Sequence, residues 1–392
     1  MTYILALTLF LLPTYTIKYN IFGFHTNILM LWIFFLWFYT LVWLIKFGLL
    51  KDFFKSFLHE KKSVLVLIGL FFICSVISLI VGKINEVKIG YWLVLFLQPL
   101  SLYFIFKFVA TKKESFLEFF LKSIYLFIGI TGVYAVYQFI TLHGLPSVWW
   151  GNKLEPKRAI SVFIHPNFYA LFITPLLGFL LPDLVRKIKN KLINFWVILW
   201  MFGIIGLLLS MSRAGWLGLT TGFIIYGLKV SEKKIRLVLF SIFAIVAITI
   251  FITPNLRWRL LGPFYGEKSA NSRIQLWSMG ANTIKQSPIF GLGLTGFSNN
   301  WPVLNKDHKL PDSHNFPHNI FLNFWLETGI LGLISFFGLV FILIKNGFIE
   351  KIKPYSLNIS LFLIILIVQG LIDNPYFKND LAVLFWLILG FV

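Results

Sequence analysis

The feature that most constrains this chain is a succession of long apolar runs separated by short, charged connections. A helix needs roughly 20 mostly apolar residues to cross the hydrocarbon core of a bilayer. Runs of that kind fall at 3–17, 27–46, 63–82, 90–110, 117–141, 162–182, 192–210, 214–230, 236–253, 318–345, 356–373 and 379–392, about twelve in all. The first and last are short for a crossing. Charged residues make up 13% of the sequence and hydrophobic ones 58%, whereas a soluble domain carries roughly a quarter charged residues. Too little polar surface remains to dissolve such a particle, which excludes a cytosolic enzyme, a disordered chain and a coiled coil. The expectation is an all-α polytopic membrane protein forming a single transmembrane helical bundle over 1–392.

The N-terminal stretch MTYILALTLFLLPTY has no basic n-region and no small-residue cleavage site, so it reads as a first membrane helix rather than a cleaved signal peptide. A net charge of +20 would point a soluble chain at nucleic acid. Here it reads as topology, and no nucleic-acid partner is expected. Lys51, Lys61 and Lys62, then Lys112 and Lys113, Arg186 and Lys187, Lys233 and Lys234, and Lys351 and Lys353 all fall in alternate connections. With an even span count these share the side of both termini, which the positive-inside rule makes cytoplasmic. The single cysteine, Cys74, sits inside an apolar run and reads as a small packing residue.

The remaining connections then face outward, and only one is long: 254–317, between the ninth and tenth spans. Loops of that length in a compact protein are usually functional. The informative ionisable residues lie on this side. Arg158 precedes the sixth span in EPKRAISVFIHPNFYA, with His165 and Asn167 just beyond it. Arg213 occupies the near-zero-length turn of LLLSMSRAGWLGL, where it either snorkels to the interface or makes a buried anion contact. Arg273 lies in the long loop, and Arg257 and Arg259 flank Trp258 like interfacial anchors.

At the tenth span, His318 follows Pro317, and Asn319, Asn323 and Glu327 recur every four residues as a polar stripe. The dipole and free N–H groups of a helix start favour an anion beside His318. Glu327 lies nine residues along the helix from His318, too far for direct contact, and reads as structural. Arg158, Arg213 and Arg273 with His318 are expected on one face. Arginine forks match phosphate oxygens and stay charged, histidine accepts protons near neutral pH, and that combination suits a lipid-linked diphosphate. Asp307 and Asp312 stand apart, so no acidic pair offers itself to a metal, and neither metal nor cofactor is expected.

At these residues the chain resembles the O-antigen ligase and polymerase-like family of bacterial membrane glycosyltransferases. The resemblance rests on SRAGWLGL after an apolar helix, SRIQLW followed by SPIFGLGLTGF in the long loop, and PHNIFLNFWLETGILGL at the next helix, in that order. It covers the C-terminal half well and the N-terminal half only in helix count and the R…HPN pattern of Arg158 to Asn167. It implies a GT-C-like, metal-independent, inverting transferase. Such an enzyme would move a glycan from undecaprenyl diphosphate to an acceptor hydroxyl, on a lipid or glycan, at the outer face of the bacterial plasma membrane. Arg213 and Arg273 would bind the diphosphate and His318 would serve the acceptor or the departing lipid diphosphate. Arg158, Asn319 and His314 would complete the substrate site. Two His-Asn pairs are present, at His314 and His318; His318 is preferred because the F-L-x-x-W-x-E-x-G pattern starts from it.

Two other readings stand beside this one. A polysaccharide polymerase would use the same donor with a second lipid-linked glycan as acceptor. A flippase or transporter for the lipid-linked glycan would instead place ionisable residues at mid-membrane in paired broken helices.

Overall fold

A computed structural model describes residues 1–21, 24–58, 60–113, 115–152, 156–189, 195–230, 232–265, 267–306, 310, 316–349 and 355–391. Besides isolated turns, its helices are α1 (Thr2–Leu11), α2 (Ile28–Lys46), α3 (Leu50–Leu58), α4 (Lys62–Val81), α5 (Glu86–Lys112), α6 (Ser115–Thr141), α7 (Pro166–Lys189) and α8 (Phe195–Leu209). There follow α9 (Arg213–Lys229), α10 (Lys233–Ile252), α11 (Pro254–Leu261), α12 (Lys268–Gln286), α13 (Ile320–Ile349), α14 (Ser356–Gly370) and α15 (Asn379–Leu389). Each apolar run of the sequence therefore holds a helix. Among the described residues six, namely α2, α4, α5, α6, α7 and α13, are long and apolar enough to cross a bilayer, while α8, α14 and α15 are apolar but shorter. Phe38, Val66 and Phe341 are each about two-thirds exposed (68%, 66% and 66%), a placement that lipid favours and water does not. The chain is an all-α polytopic membrane protein.

Two stretches read as connections are structured. β1 (Lys18–Ile21) and β2 (Phe24–Asn27) pair antiparallel, with Tyr19 opposite Thr26. Much of 254–317 is helical, in α11 and α12. Leu276 and Ile284 of α12 are buried with Phe297, Leu310 and Leu326. A helix with one apolar face is invisible to a search for continuously apolar runs.

The chain divides into two compact units. The first comprises Met1–Glu118, Ser272–Asn346 and Gly370–Val392; the second comprises Phe119–Asn271 and Gly347–Gln369.

In the first unit, α13 is broken. Gly329 has φ 72° and ψ 178°, a backbone state that only glycine adopts readily, and it interrupts the helical ladder deep in an apolar helix. Backbone groups freed at that depth need partners. The glycine-rich stretch after α12 supplies them: the Leu292 N–H donates to the Leu326 carbonyl at 2.7 Å, and the Ile330 N–H donates to the Ile289 carbonyl at 3.0 Å. The Ser78 hydroxyl donates to the Glu327 carbonyl, and the Thr295 N–H donates to Glu327 Oε2 at 2.6 Å. Gly291, with φ 67°, lies so close that a Cβ there would overlap the carbonyls of Trp325 and Leu326. The SPIFGLGLTGF stretch is thus glycine-rich because its backbone docks into a broken helix.

In the second unit, α7 is almost wholly buried and packs along α9, whose small residues allow close approach. Gly215 faces Ala170 and Thr174 of α7, and Gly218 and Gly222 face Ile365 of α14. This packing fixes the turn 210–212, at which α8 ends and α9 begins.

Candidate functional site

Within the first unit, Asp373 gathers two of the residues singled out by sequence. It lies between α14 and α15, is 5% exposed, and accepts from His318 Nδ1 at 2.9 Å, with Arg273 Nη2 at 3.8 Å. The Asn374 N–H donates to the same carboxylate at 2.9 Å. Burial by itself would raise the Asp373 carboxyl. The facing charge and hydrogen bond of His318, the charge of Arg273 and the Asn374 N–H outweigh it and hold the group well below the usual carboxylate range. Asp373 is therefore ionised and only accepts, so the proton on this bond belongs to Nδ1. Arg273 lies on α12, not in a loop, and its Nε donates to the Ile372 carbonyl at 2.9 Å. The Trp277 indole donates to the His318 carbonyl at 3.2 Å.

His318 itself stands just outside α13, with a left-handed φ of 51°. The sequence reading opened the helix at this residue. The helix starts at Ile320 because the Asn319 side chain is the cap, accepting from the Phe321 and Leu322 N–H groups at 3.0 and 3.1 Å. Asn319 Nδ2 also donates to the Leu371 carbonyl at 3.1 Å, tying the helix start to the Asp373 segment. The expected stripe separates into three roles. Asn319 caps, Asn323 is fully buried, and Glu327 holds the Thr295 N–H. His314 lies outside the described residues.

Within the second unit, Arg158 and Arg213 meet at the turn 210–212, and Arg259 of α11 joins them. Arg158 is 8% exposed; its Nε donates to the Ser210 carbonyl at 3.0 Å, its Nη2 donates to Asn167 Oδ1 at 2.6 Å, and its guanidinium lies 5.4 Å from the Trp149 ring. Met211 has a left-handed φ of 53°, which aims its carbonyl at Arg259 Nε, 3.2 Å away. Arg213 and Arg259 each pair with one oxygen of Glu267, and Arg213 Nη1 donates to the Arg259 carbonyl at 3.3 Å. Arg213 thus makes an anion contact instead of snorkelling. Arg259 is no interfacial anchor, since Trp258 stacks on Tyr265 at 6.0 Å and 9° while the arginine turns inward. Among the described residues no group of three or more His, Cys, Asp or Glu side chains is placed to hold a metal ion.

Asp373 and Glu267 escaped the sequence reading, and Arg259 entered it only as an interfacial anchor. Asp373 carried a signal, an acidic residue at the end of an apolar run where a charge needs a partner. Glu267 carried none.

Comparison with known sequences bears on this arrangement directly. Residues 197–337 match the O-antigen ligase family. The matched stretch contains Arg213, Arg259, Glu267, Arg273 and His318, and leaves out Arg158 and Asp373. An uncharacterized protein of Haemophilus influenzae is 25% identical over 353 residues, covering 83% of this chain and 82% of its own. Two proteins provisionally named polysaccharide ligases are similar over shorter stretches. That of Rickettsia felis is 32% identical over 182 residues (43% of this chain, 42% of its own length), and that of Rickettsia typhi is 33% identical over 176 residues (42% and 41%). The chain thus spans less than half the length of the Rickettsia relatives it matches.

Proposed function

We propose that the protein transfers a glycan from undecaprenyl diphosphate to an acceptor hydroxyl at the outer face of the bacterial plasma membrane, with inversion and without a metal. The observation that carries this reading is the His318–Asp373–Arg273 constellation. Asp373 keeps the His318 proton on Nδ1, so Nε2 can take the proton of an acceptor hydroxyl as its oxygen attacks the anomeric carbon. The bond from that carbon to the diphosphate breaks, and its electron pair leaves on the phosphate oxygen. Arg273, beside His318, meets the charge that develops there, and the family resemblance carries Arg213 as a diphosphate-binding residue; a donor placed on the leaving oxygen is typically worth about 3 kcal/mol. Diphosphate is a good leaving group, so no strong general acid is required.

The names of the Rickettsia relatives favour ligase over polymerase. The alternating basic connections support about twelve crossings with both termini cytoplasmic, and in this reading the arginines and His318 face outward. The test is transfer by purified protein in liposomes, from undecaprenyl-diphosphate-linked glycan to a panel of acceptors, with EDTA present. Product formed by wild type and lost in Arg213→Ala, Arg273→Ala and His318→Ala supports the reading. Movement of the lipid-linked glycan across the bilayer without any product would replace it with a flippase.

A further inference from the structure

Glu267 sits where an incoming anion would go. Its carboxylate is divided between two guanidiniums, one oxygen on Arg213 and the other on Arg259. The cage is enclosed but not sealed: the side chains of Arg213, Arg259 and Glu267 are 15%, 13% and 23% exposed. The two arginines are held by backbone carbonyls independently of the carboxylate, Arg213 by that of Arg259 and Arg259 by that of Met211. Among the described residues, Glu267 is held only at its backbone apart from the two arginines, its N–H donating to the Gly262 carbonyl at 3.2 Å and its carbonyl accepting from the Ala270 and Asn271 N–H groups at 3.0 and 3.3 Å, while its carboxylate ends a side chain that can rotate away. The cations are therefore the fixed part and the anion the replaceable part.

Beside the cage stand three exposed aromatic side chains. Trp258, Phe264 and Tyr265 are 52%, 84% and 70% exposed, and Trp258 and Tyr265 are stacked. Two cations opposite one carboxylate leave a net charge of +1, whereas a diphosphate diester brings about two negative charges with several acceptor oxygens, a better match to two forks. An exposed aromatic shelf next to the forks suits an isoprenoid chain at the membrane boundary.

We infer that Arg259 is a second diphosphate-binding arginine beside Arg213, and that Glu267 is a resident counter-ion which the polyprenyl diphosphate displaces. This rests on the glycan-transfer reading. Without substrate, Glu267 keeps both arginines paired and in place. When the lipid diphosphate arrives, both forks exchange carboxylate for phosphate oxygens, and the Glu267 side chain rotates away. The carboxylate thus competes with substrate and sets the affinity of the site.

The test is equilibrium binding of undecaprenyl diphosphate to the purified full chain in nanodiscs, with inorganic pyrophosphate as competitor. Glu267→Gln keeps the shape and removes the charge; it is expected to bind about tenfold more tightly, the scale of one charge-assisted hydrogen bond no longer competing. Arg259→Ala is expected to bind about tenfold more weakly on the same scale. Unfolding temperatures verify that each variant is folded, and Glu267→Ala, expected to tighten binding like the Gln variant, stands in should Glu267→Gln fail to fold. Folded charge-removal variants that bind no tighter than wild type, or an Arg259→Ala protein that binds as well as wild type, would overturn the inference while leaving the transfer reading standing. Wild type that does not bind undecaprenyl diphosphate would overturn both. Pyrophosphate competing as well as the lipid would remove the aromatic shelf from the assignment.

Discussion

Asp373 accepts a hydrogen bond from His318 Nδ1 at 2.9 Å although 55 residues separate them in the chain. The same carboxylate faces Arg273, so one buried anion holds a base candidate and an anion-binding candidate in register. His318 arrives on the left-handed residue before the α13 cap, Asp373 on the turn after α14, and Arg273 on α12.

Replacing Asp373 with Asn should leave His318 in place but permit the wrong tautomer. The expected result is a loss of turnover of about 10²–10⁴-fold, with KM changed far less. Steady-state transfer assays check it, and partial rescue by Asp373→Glu separates proton positioning from simple loss of packing.

Stability should depend on acid in a definite way. The folded carboxyl of Asp373 lies below its ordinary value, so its charged contacts stabilise the fold at every pH above about 4, the unfolded value. That contribution fades only as pH falls from there towards the folded value. Unfolding temperatures of wild type and Asp373→Asn should therefore differ above about pH 5 and converge as pH falls below about 4. A difference that persisted undiminished in acid would assign the shift to another group.

The docking of the glycine-rich stretch into α13 can be tested one atom at a time. Gly291→Ala puts a methyl group into the Trp325 and Leu326 carbonyls at a positive φ, and should destabilise by more than about 2 kcal/mol. Gly69→Ala, in α4 with open space around it, should be neutral or gain up to about 1 kcal/mol. Thermal unfolding in detergent reads both.

Glu327 should prove structural. Glutamine retains an acceptor for the Thr295 N–H, so Glu327→Gln should keep most transfer activity, while Glu327→Ala strands that N–H at a cost of about 1–3 kcal/mol. An inactive but fully folded Glu327→Gln would bring the carboxylate into the chemistry.

The Arg213 turn shows why part of the site was legible. An arginine in a near-zero-length connection is conspicuous because a charge at a membrane boundary needs a partner, and that cost is paid residue by residue. The partner was not legible. Glu267 lies 54 residues away in sequence and meets Arg213 only after α11 has brought Arg259 to the Met211 carbonyl. Likewise Arg259 beside Trp258 has the local pattern of an interfacial anchor, and only packing turns it inward.

The sequence by itself determined the solvent of this protein, where its apolar helices run, and which arginines and which histidine are candidates for chemistry. Hydropathy, charge cost and helix period are properties of neighbouring residues, and they survive without a fold. Only the tertiary structure decided that Asp373 sets the His318 proton, that Glu267 occupies Arg213 and Arg259, and that residues 287–295 fill the break at Gly329. Those are pairings of buried polar groups across tens of residues, satisfied by proximity that no local pattern encodes.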